Sequence, residues 1–245
     1  MEQPQRINPV WLGEPTIVAA SGPSLNADVI RICRMARWTD QWRVLAVNDA
    51  ARAMPWADAA YAADQHWWQH HKGLPEFEGQ RFCPVQRSID GDEDATAFAG
   101  QFPTVRMVAA CAGTDFSRDQ SRIHFGEPEN SGFQAINLAL LLGAARVVLV
   151  GFDARCVDGK SHFFGDHPEG INRLLDQPKE FRDAEMARIY ASIARSFDGV
   201  VEVDRILNAT PDSAITRFEP VPLHEALSRN NGLYRNGSQS HAAAS

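Results

Sequence analysis

The stretch Thr16-Ile-Val-Ala-Ala-Ser-Gly-Pro-Ser-Leu25 joins a short apolar run to a glycine-containing turn. The run has the composition of a buried strand, and a helix is predicted to begin near Leu25. A strand that passes through a tight turn into a helix offers unpaired backbone amides, which can bind an anion. The segment is either a simple turn or a phosphate or nucleotide site formed by Ser21, Gly22, Pro23 and Ser24.

Two further apolar runs end in polar residues. Asn48 follows the run Val44 to Val47, and Gly151-Phe152-Asp153 follows the run Val147 to Val150. In an open parallel sheet, ligands bind where the carboxyl ends of the strands meet. Asn48 is therefore predicted either to contact the base or ribose of a nucleotide or to start the next helix as an Asx turn.

Apolar runs alternate with helical patterns along most of the chain, including a buried helix at Gly132 to Gly143 and an amphipathic helix at Pro178 to Phe197. This alternation predicts an α/β fold, a Rossmann-like, mainly parallel sheet with helices on both faces. A last strand is predicted at Val200 to Val203, and the segment Ala110 to Asn130 shows no clear periodicity. Residues 1–227 are predicted to form a single nucleotide-binding domain, and residues 228–245 a flexible C-terminal tail.

Composition narrows the classes of protein and partner. The 245 residues carry a net charge of −7, which argues against binding to duplex nucleic acid through its phosphates. The longest apolar run is too interrupted for a membrane span, and the polar N-terminus lacks the apolar core of a secretory signal. The four scattered cysteines suggest neither a zinc site nor a disulfide framework. We expect a soluble cytoplasmic protein, and the sequence leaves open whether it forms a homo-oligomer.

The residues Asn130, Ser131 and Gly132 precede or open the buried helix. Their amides and hydroxyl could meet an anion at the helix N-terminus, and a plain helix cap is the competing interpretation. The glycine turn lacks both the third glycine of the dinucleotide fingerprint and the lysine of a P-loop. The sequence therefore favours neither NAD binding nor Walker-type ATP hydrolysis.

The segment after Asp153 contains two histidines, His162 and His167, in a short glycine-containing loop. Histidine titrates near neutral pH and suits proton transfer from a hydroxyl nucleophile. Metal binding by His162, Asp166 and His167 is the alternative, although this spacing is not a recognised zinc signature.

Five motifs occur in order along the chain: Ser-Gly-Pro-Ser-Leu (21–25), Ala-Val-Asn (46–48), Asn-Ser-Gly-Phe-Gln-Ala-Ile-Asn-Leu-Ala (130–139), Leu-Val-Gly-Phe-Asp (149–153) and His-Phe-Phe-Gly-Asp-His-Pro (162–168). Together they resemble the superfamily of motility-accessory-factor glycosyltransferases and archaeal 6-hydroxymethylpterin diphosphokinase-like proteins. This group is similar in turn to the bacterial family 42 sialyltransferases. The resemblance covers roughly Thr16 to Leu227, and Asn208-Ala-Thr-Pro-Asp-Ser-Ala214 extends it towards the C-terminus.

The resemblance implies a nucleotide-dependent transferase that moves a sugar from a nucleotide-activated donor to a small-molecule or glycan acceptor and requires no cofactor. It places the 21–24 turn near the phosphate and ribose, Asn48 on the nucleotide, and residues 130–132 on the donor. His162 or His167 would be the general base, and Asp153 would orient the loop or a cation. Tyrosines that hold the leaving phosphate in sialyltransferases are absent, so Arg155 and Lys160 are the predicted substitutes.

Two other functions remain open at this stage. A diphosphokinase acting on a hydroxymethyl pterin-like substrate would use ATP and Mg²⁺, and strand-end carboxylates such as Asp64 and Asp153 would hold the metal. A nucleotide-binding module without catalytic activity is the third alternative.

Overall fold

The computed structural model describes residues 5–39, 42–85, 93–165 and 179–228. Nine strands form one sheet in the order β6-β5-β4-β3-β2-β1-β7-β8-β9, and all pairings between neighbouring strands are parallel. This confirms the predicted Rossmann-like α/β fold. The strands are β1 (Pro15–Ala19), β2 (Arg43–Val47), β3 (Ala59–Tyr61), β4 (Gln80–Pro84), β5 (Val105–Cys111), β6 (Arg122–His124), β7 (Arg146–Val150), β8 (Ile206–Asn208) and β9 (Glu219–Pro220).

Helices cover both faces of the sheet, because side chains of each central strand alternate between two cores. In β1, Val18 belongs to one core, whereas Ile17 and Ala19 belong to the other. The first core contains α5, and the second contains α1 to α3. The helices are α1 (Ala27–Trp38), α2 (Asp49–Ala53), α3 (Gln65–His70), α4 (Glu93–Gln101), α5 (Ser131–Leu141), α6 (Lys179–Arg195) and α7 (Leu223–Ser228).

The strand predicted at Val200 to Val203 is wrong. Backbone amides there make local bonds, from Val200 N to Phe197 O and from Val203 N to Val201 O, which replace ladder hydrogen bonds. The last strands are β8 and β9, which are three and two residues long and are too short to show an alternating pattern.

The segment between Ala110 and Asn130 contains the short strand β6, which the sequence does not predict. The buried side chain of Asn137 on α5 holds this segment: its Oδ1 accepts from the amides of Ser117 (3.0 Å) and His124 (2.8 Å), and its Nδ2 donates to Ser117 O (3.0 Å). A single buried amide thus replaces the periodic apolar contacts that reveal longer strands.

Trp67 and Trp68 are both buried in the second core, where Trp68 donates its indole N–H to Ala62 O at 3.0 Å. Within the ranges the structure describes, no helix combines the length and the apolar character needed to cross a membrane. The predicted tail, residues 228–245, lies outside the described residues apart from Ser228, which ends α7.

Candidate functional site

The candidate site lies between β1 and β7, at the point where the strand order reverses. From β1 the chain proceeds to β2 on one side, whereas from β7 it proceeds to β8 on the other. In open α/β sheets, ligands bind at the carboxyl ends of the strands that flank such a switch point. The 21–24 turn and the segment Gly151-Phe152-Asp153 are the loops that follow these two strands.

Gly22 and Asp153 pack so closely that no side chain fits at position 22. The amide of Gly22 donates to Gly151 O at 2.9 Å. A Cβ atom added to Gly22 would lie 2.1 Å from Asp153 Oδ2 and 2.4 Å from Gly151 O. Glycine is therefore required here for the close approach of the two loops.

The carboxylate of Asp153 occupies the position where the sequence predicts a phosphate. Ser24 donates to it through its backbone amide (3.2 Å to Oδ1) and through its hydroxyl (2.8 Å to Oδ2). Asp153 is only 1% exposed, and this burial raises the pKa of the carboxyl, while the Ser24 hydrogen bonds and the charge of Arg155 oppose the rise. The turn thus binds an anion, but it is a carboxylate of the same chain.

The N-terminus of α1 is also satisfied internally. Asn26 caps the helix, and its Oδ1 accepts from the amides of Asp28 and Val29, both at 3.0 Å. The helix begins at Ala27 rather than near Leu25, and Pro23 has no amide hydrogen to offer. The amides of Gly22, Ser24, Asp28 and Val29 thus have acceptors within the protein. A contact between this turn and a nucleotide remains a prediction.

Ser21 takes over the capping of α2 from Asn48. Its hydroxyl accepts from Ala50 N and donates to Val47 O, both at 3.0 Å, which ties the β1 loop to the β2 loop. Asn48 precedes α2 but makes no side-chain capping bond, so the Asx-turn alternative is not what the structure shows. Asn48 is half-buried at the strand end with φ of 52° and ψ of −129°, a sparsely populated conformation that is often found at functional sites.

Asn130 acts as a plain helix cap, the competing interpretation of its motif. Its Oδ1 accepts from Phe133 N at 2.8 Å, and its Nδ2 donates to Ser196 Oγ at 2.8 Å. Ser131 and Gly132 open α5, and their amides precede the first intrahelical hydrogen bond. A Cβ on Gly132 would lie 2.9 Å from the ring of Phe152, so this helix start faces the loop that carries Asp153.

The loop after Asp153 folds back onto the 21–24 turn. A turn between Val157 and Lys160 leaves Lys160 exposed, and Phe163 N then donates to Ser21 O at 3.1 Å. His162 lies in this returning segment, with its Nδ1 2.9 Å from Ser161 Oγ and its ring stacked on Phe164. The predicted partner His167 lies outside the described residues.

A segment to which the sequence assigns no role, Asn208 to Ala214, fixes the backbone around Asp153. Thr210 Oγ1 accepts from Phe152 N at 2.9 Å, Ser213 Oγ donates to Phe152 O at 2.5 Å, and Ala214 N donates to Asp153 O at 2.9 Å. This clamp supports a strained loop, since Ala154 has φ of 47°. The extension of the family motif through these residues was the available signal.

Tyr190 on α6 is a second residue that sequence reasoning missed. Its hydroxyl donates to Ser161 O at 2.9 Å, next to His162. Burial, with smaller contributions from Cys156 and Asp153, raises the pKa of the phenol, so Tyr190 remains a hydrogen-bond donor at neutral pH. The sequence does not reveal this role, because the helical period of α6 does not show which face of the helix lies over the site.

The chain shares its fold with a MAf glycosyltransferase. The solved structure of that enzyme from Magnetospirillum magneticum AMB-1 superposes with a TM-score of 0.51 at 13% sequence identity. The match covers 95% of this chain and 38% of the other, so this chain spans little more than a third of the enzyme's length. Comparisons with protein-family models and with curated protein sequences gave no match.

The two carboxylates proposed for a metal do not lie together. Asp64 is exposed and caps α3, where its Oδ1 accepts from His66 N at 2.8 Å. It follows β3, whereas Asp153 follows β7, and β2 and β1 lie between them. Three strand spacings correspond to roughly 14 Å, which is too far for one ion to bind both groups.

The arrangement brings the predicted groups to one end of the sheet. Asp153 contacts the 21–24 turn, Gly132 contacts Phe152, and the His162 loop is bonded to Ser21. The loops at this end of the sheet carry the N-terminus of α5, an asparagine that does not cap its helix (Asn48), the imidazole of His162 and the cations Arg155 and Lys160. These are groups that bind a nucleotide and take up a proton.

Proposed function

We propose that the chain is a nucleotide-dependent glycosyltransferase. One observation carries the proposal: the loops after β1 and β7 are locked together by Gly22, Ser24 and Asp153 at the switch point of the sheet, and the His162 loop lies over the lock. The fold shared with a MAf glycosyltransferase and the order of the motifs support this choice of chemistry.

In this proposal the nucleotide lies along the carboxyl ends of β1 and β2. Asn48 hydrogen-bonds the nucleoside, because its amide is not used to cap α2. Ser131 and Gly132 meet the donor with the amides that open α5. Ser21, Gly22 and Ser24 act indirectly, since their polar groups hold Asp153 and the start of α2 in place.

The reaction breaks the bond between the anomeric carbon of the sugar and the phosphate oxygen, whose electron pair stays with the nucleotide. The oxygen of an acceptor hydroxyl forms the new bond to the anomeric carbon. The imidazole of His162 takes the hydroxyl proton. Arg155 and Lys160 offset the charge that develops on the leaving phosphate. The resemblance to sialyltransferases makes a nonulosonic acid the first sugar to test.

Thermal-shift measurements with CMP, UDP, ATP plus Mg²⁺ and a CMP-activated sugar test the class of donor. We expect a pyrimidine nucleotide to stabilise the protein. If only ATP with Mg²⁺ stabilises it, the diphosphokinase is favoured. If no nucleotide stabilises it, a module of another kind is favoured. For the donor that binds, His162→Ala should lower the transfer rate by about 10²–10⁴-fold. His70→Ala, an exposed histidine on α3, is the matched control. Full activity of His162→Ala would make the assignment of the base wrong.

A further inference from the structure

The Nε atom of Arg155 is a hydrogen-bond donor without an acceptor in the described part of the structure. It is buried, and no described residue accepts a hydrogen bond from it. A buried donor without a partner is destabilising, so its presence calls for an explanation. Arg155 follows Asp153 by two residues and is close enough to lower the pKa of that carboxyl.

The ion pair described for the Arg155 guanidinium is weak. Its Nη2 lies 3.6 Å from Asp212 Oδ2, and the side chains are 40% and 88% exposed, respectively. Exposed pairs of this kind contribute little to stability because water and salt screen them. Asp212 can therefore be displaced at little cost.

Displacement of the Asp212 side chain does not require its loop to move. Ser213 and Ala214 anchor the loop through bonds to Phe152 O and Asp153 O, and neither bond involves the Asp212 carboxylate. The backbone at Asp212 has φ of 50°, a conformation that aspartate and asparagine both tolerate. The carboxylate can thus leave the guanidinium while the clamp on Asp153 persists.

We propose that Arg155 is a phosphate-binding residue that Asp212 holds in place when no ligand is bound, and that a phosphate group of the ligand displaces the Asp212 carboxylate. Once Asp212 is displaced, the half-exposed guanidinium can turn, and a phosphate, which offers several oxygens, can then accept from both Nε and Nη2 of its planar edge, whereas Asp212 contacts Nη2 alone. The inference rests on the proposed function for the location of the site and adds a competing group of the protein itself.

The negative charge of Asp153 lies close to Arg155 but already accepts hydrogen bonds within the protein. Asp153 would repel a phosphate at Arg155, but its carboxylate accepts from the amide and the hydroxyl of Ser24 and is almost fully buried. The exposed Asp212 is then the negative group that competes most directly with the ligand.

The test measures binding of inorganic pyrophosphate and of CMP by isothermal titration calorimetry, with uncharged cytidine as a third probe. Asp212→Asn removes the competing charge and should tighten pyrophosphate and CMP binding by about twofold to fivefold, with no change for cytidine. Asp158→Asn is the matched control, because Asp158 is also an exposed aspartate with φ of 50° in the neighbouring turn. Its effect should be less than half as large.

The double variant Arg155→Met/Asp212→Asn identifies the binding residue, because the gain should vanish when the guanidinium is absent. The proposal is overturned if Asp212→Asn binds pyrophosphate no more tightly than Asp158→Asn, if the gain survives in the double variant, or if no variant binds pyrophosphate. Failure of the proposed function would show differently: Arg155-dependent pyrophosphate binding would persist, but no nucleotide-activated sugar would be consumed.

Discussion

Gly22 lies against the side chain of Asp153, and a Cβ atom at position 22 would be 2.1 Å from Asp153 Oδ2. The contact joins the loops that follow two adjacent strands of the sheet, β1 and β7. Because the obstructing atoms are a buried carboxylate and the backbone of Gly151, neither can move aside cheaply.

We expect Gly22→Ala to lower the free energy of unfolding by about 1–3 kcal/mol through overpacking and to weaken nucleotide binding by displacing Asp153. Urea unfolding and calorimetry measure the two effects. Gly100→Ala is the control: nothing lies within 4 Å of a Cβ there, and alanine in α4 should be neutral or stabilise by up to about 1 kcal/mol. Equal stability of the two variants would contradict the contact.

Stability should depend on the protonation of Asp153. Burial raises its pKa above the ordinary 3.8, so the native state holds the proton more tightly than the unfolded chain does. This contribution to stability is complete below the unfolded pKa and is lost as the pH rises through the folded value. Asp153→Asn has no proton to lose, so the wild type should lose stability relative to this variant as the pH rises above the ordinary pKa of the carboxyl.

Urea unfolding at a series of pH values measures this difference. Ser24→Ala provides the second variant, because it removes a hydroxyl that lowers the pKa of Asp153 and should move the loss of stability to higher pH. Parallel stability curves for the wild type and Asp153→Asn would show that the carboxyl titrates as an ordinary one.

Ser21→Ala should be destabilising, whereas Ser131→Ala should not be. The Ser21 hydroxyl satisfies Val47 O and Ala50 N, and its removal leaves both without that partner, at a cost of about 1–3 kcal/mol. Ser131 follows the actual cap of α5, so its loss should change stability by less than about 0.5 kcal/mol but weaken donor binding. Thermal denaturation and nucleotide titration separate the outcomes; the reverse order of stabilities would contradict the assigned roles.

Tyr190→Phe should loosen the loop that carries His162. The variant loses the hydrogen bond to Ser161 O, worth about 0.5–1.5 kcal/mol, and amide hydrogen exchange in residues 157–165 should become faster. Tyr61→Phe is the control, because the Tyr61 hydroxyl bonds Gln134 in the core and its loss should leave exchange in residues 157–165 unchanged. Unchanged exchange in Tyr190→Phe would show that the phenol does not hold the loop.

The centre of the fold could be predicted from the sequence because its strands are continuous apolar runs. The apolar runs predict strands at Arg43 to Val47 and at Arg146 to Val150, which are the bounds of β2 and β7. The strand predicted at Thr16 to Ala20 differs from β1 by one residue at each end. The outer strands β6, β8 and β9 have only two or three residues, so they carry no measurable period. β8 and β9 are held by pairing with a neighbouring strand, and β6 is also held by the buried amide of Asn137. A local sequence pattern does not reveal such partners.

The location of the candidate site could be predicted, but the use of its polar groups could not. A glycine turn after a strand predicts an anion, and the structure places an anion there. Its identity depends on a contact between Ser24 and Asp153, 129 residues apart in the chain. The same limit applies to Ser21, whose partner helix starts at Asp49, and to the clamp formed by Thr210 and Ser213.

Because Ser21 bonds to the start of α2, the capping of this helix and the proposed contact with the nucleoside fall to two different residues. The hydroxyl of Ser21, in the loop after β1, caps α2, so the side-chain amide of Asn48 is not needed for this cap. Under the proposed function, exchange of Asn48 for another side chain that accepts a positive φ should therefore alter which nucleoside is preferred while the scaffold stays intact. Position 48 would then be the place where the choice of donor can change with the least loss of stability.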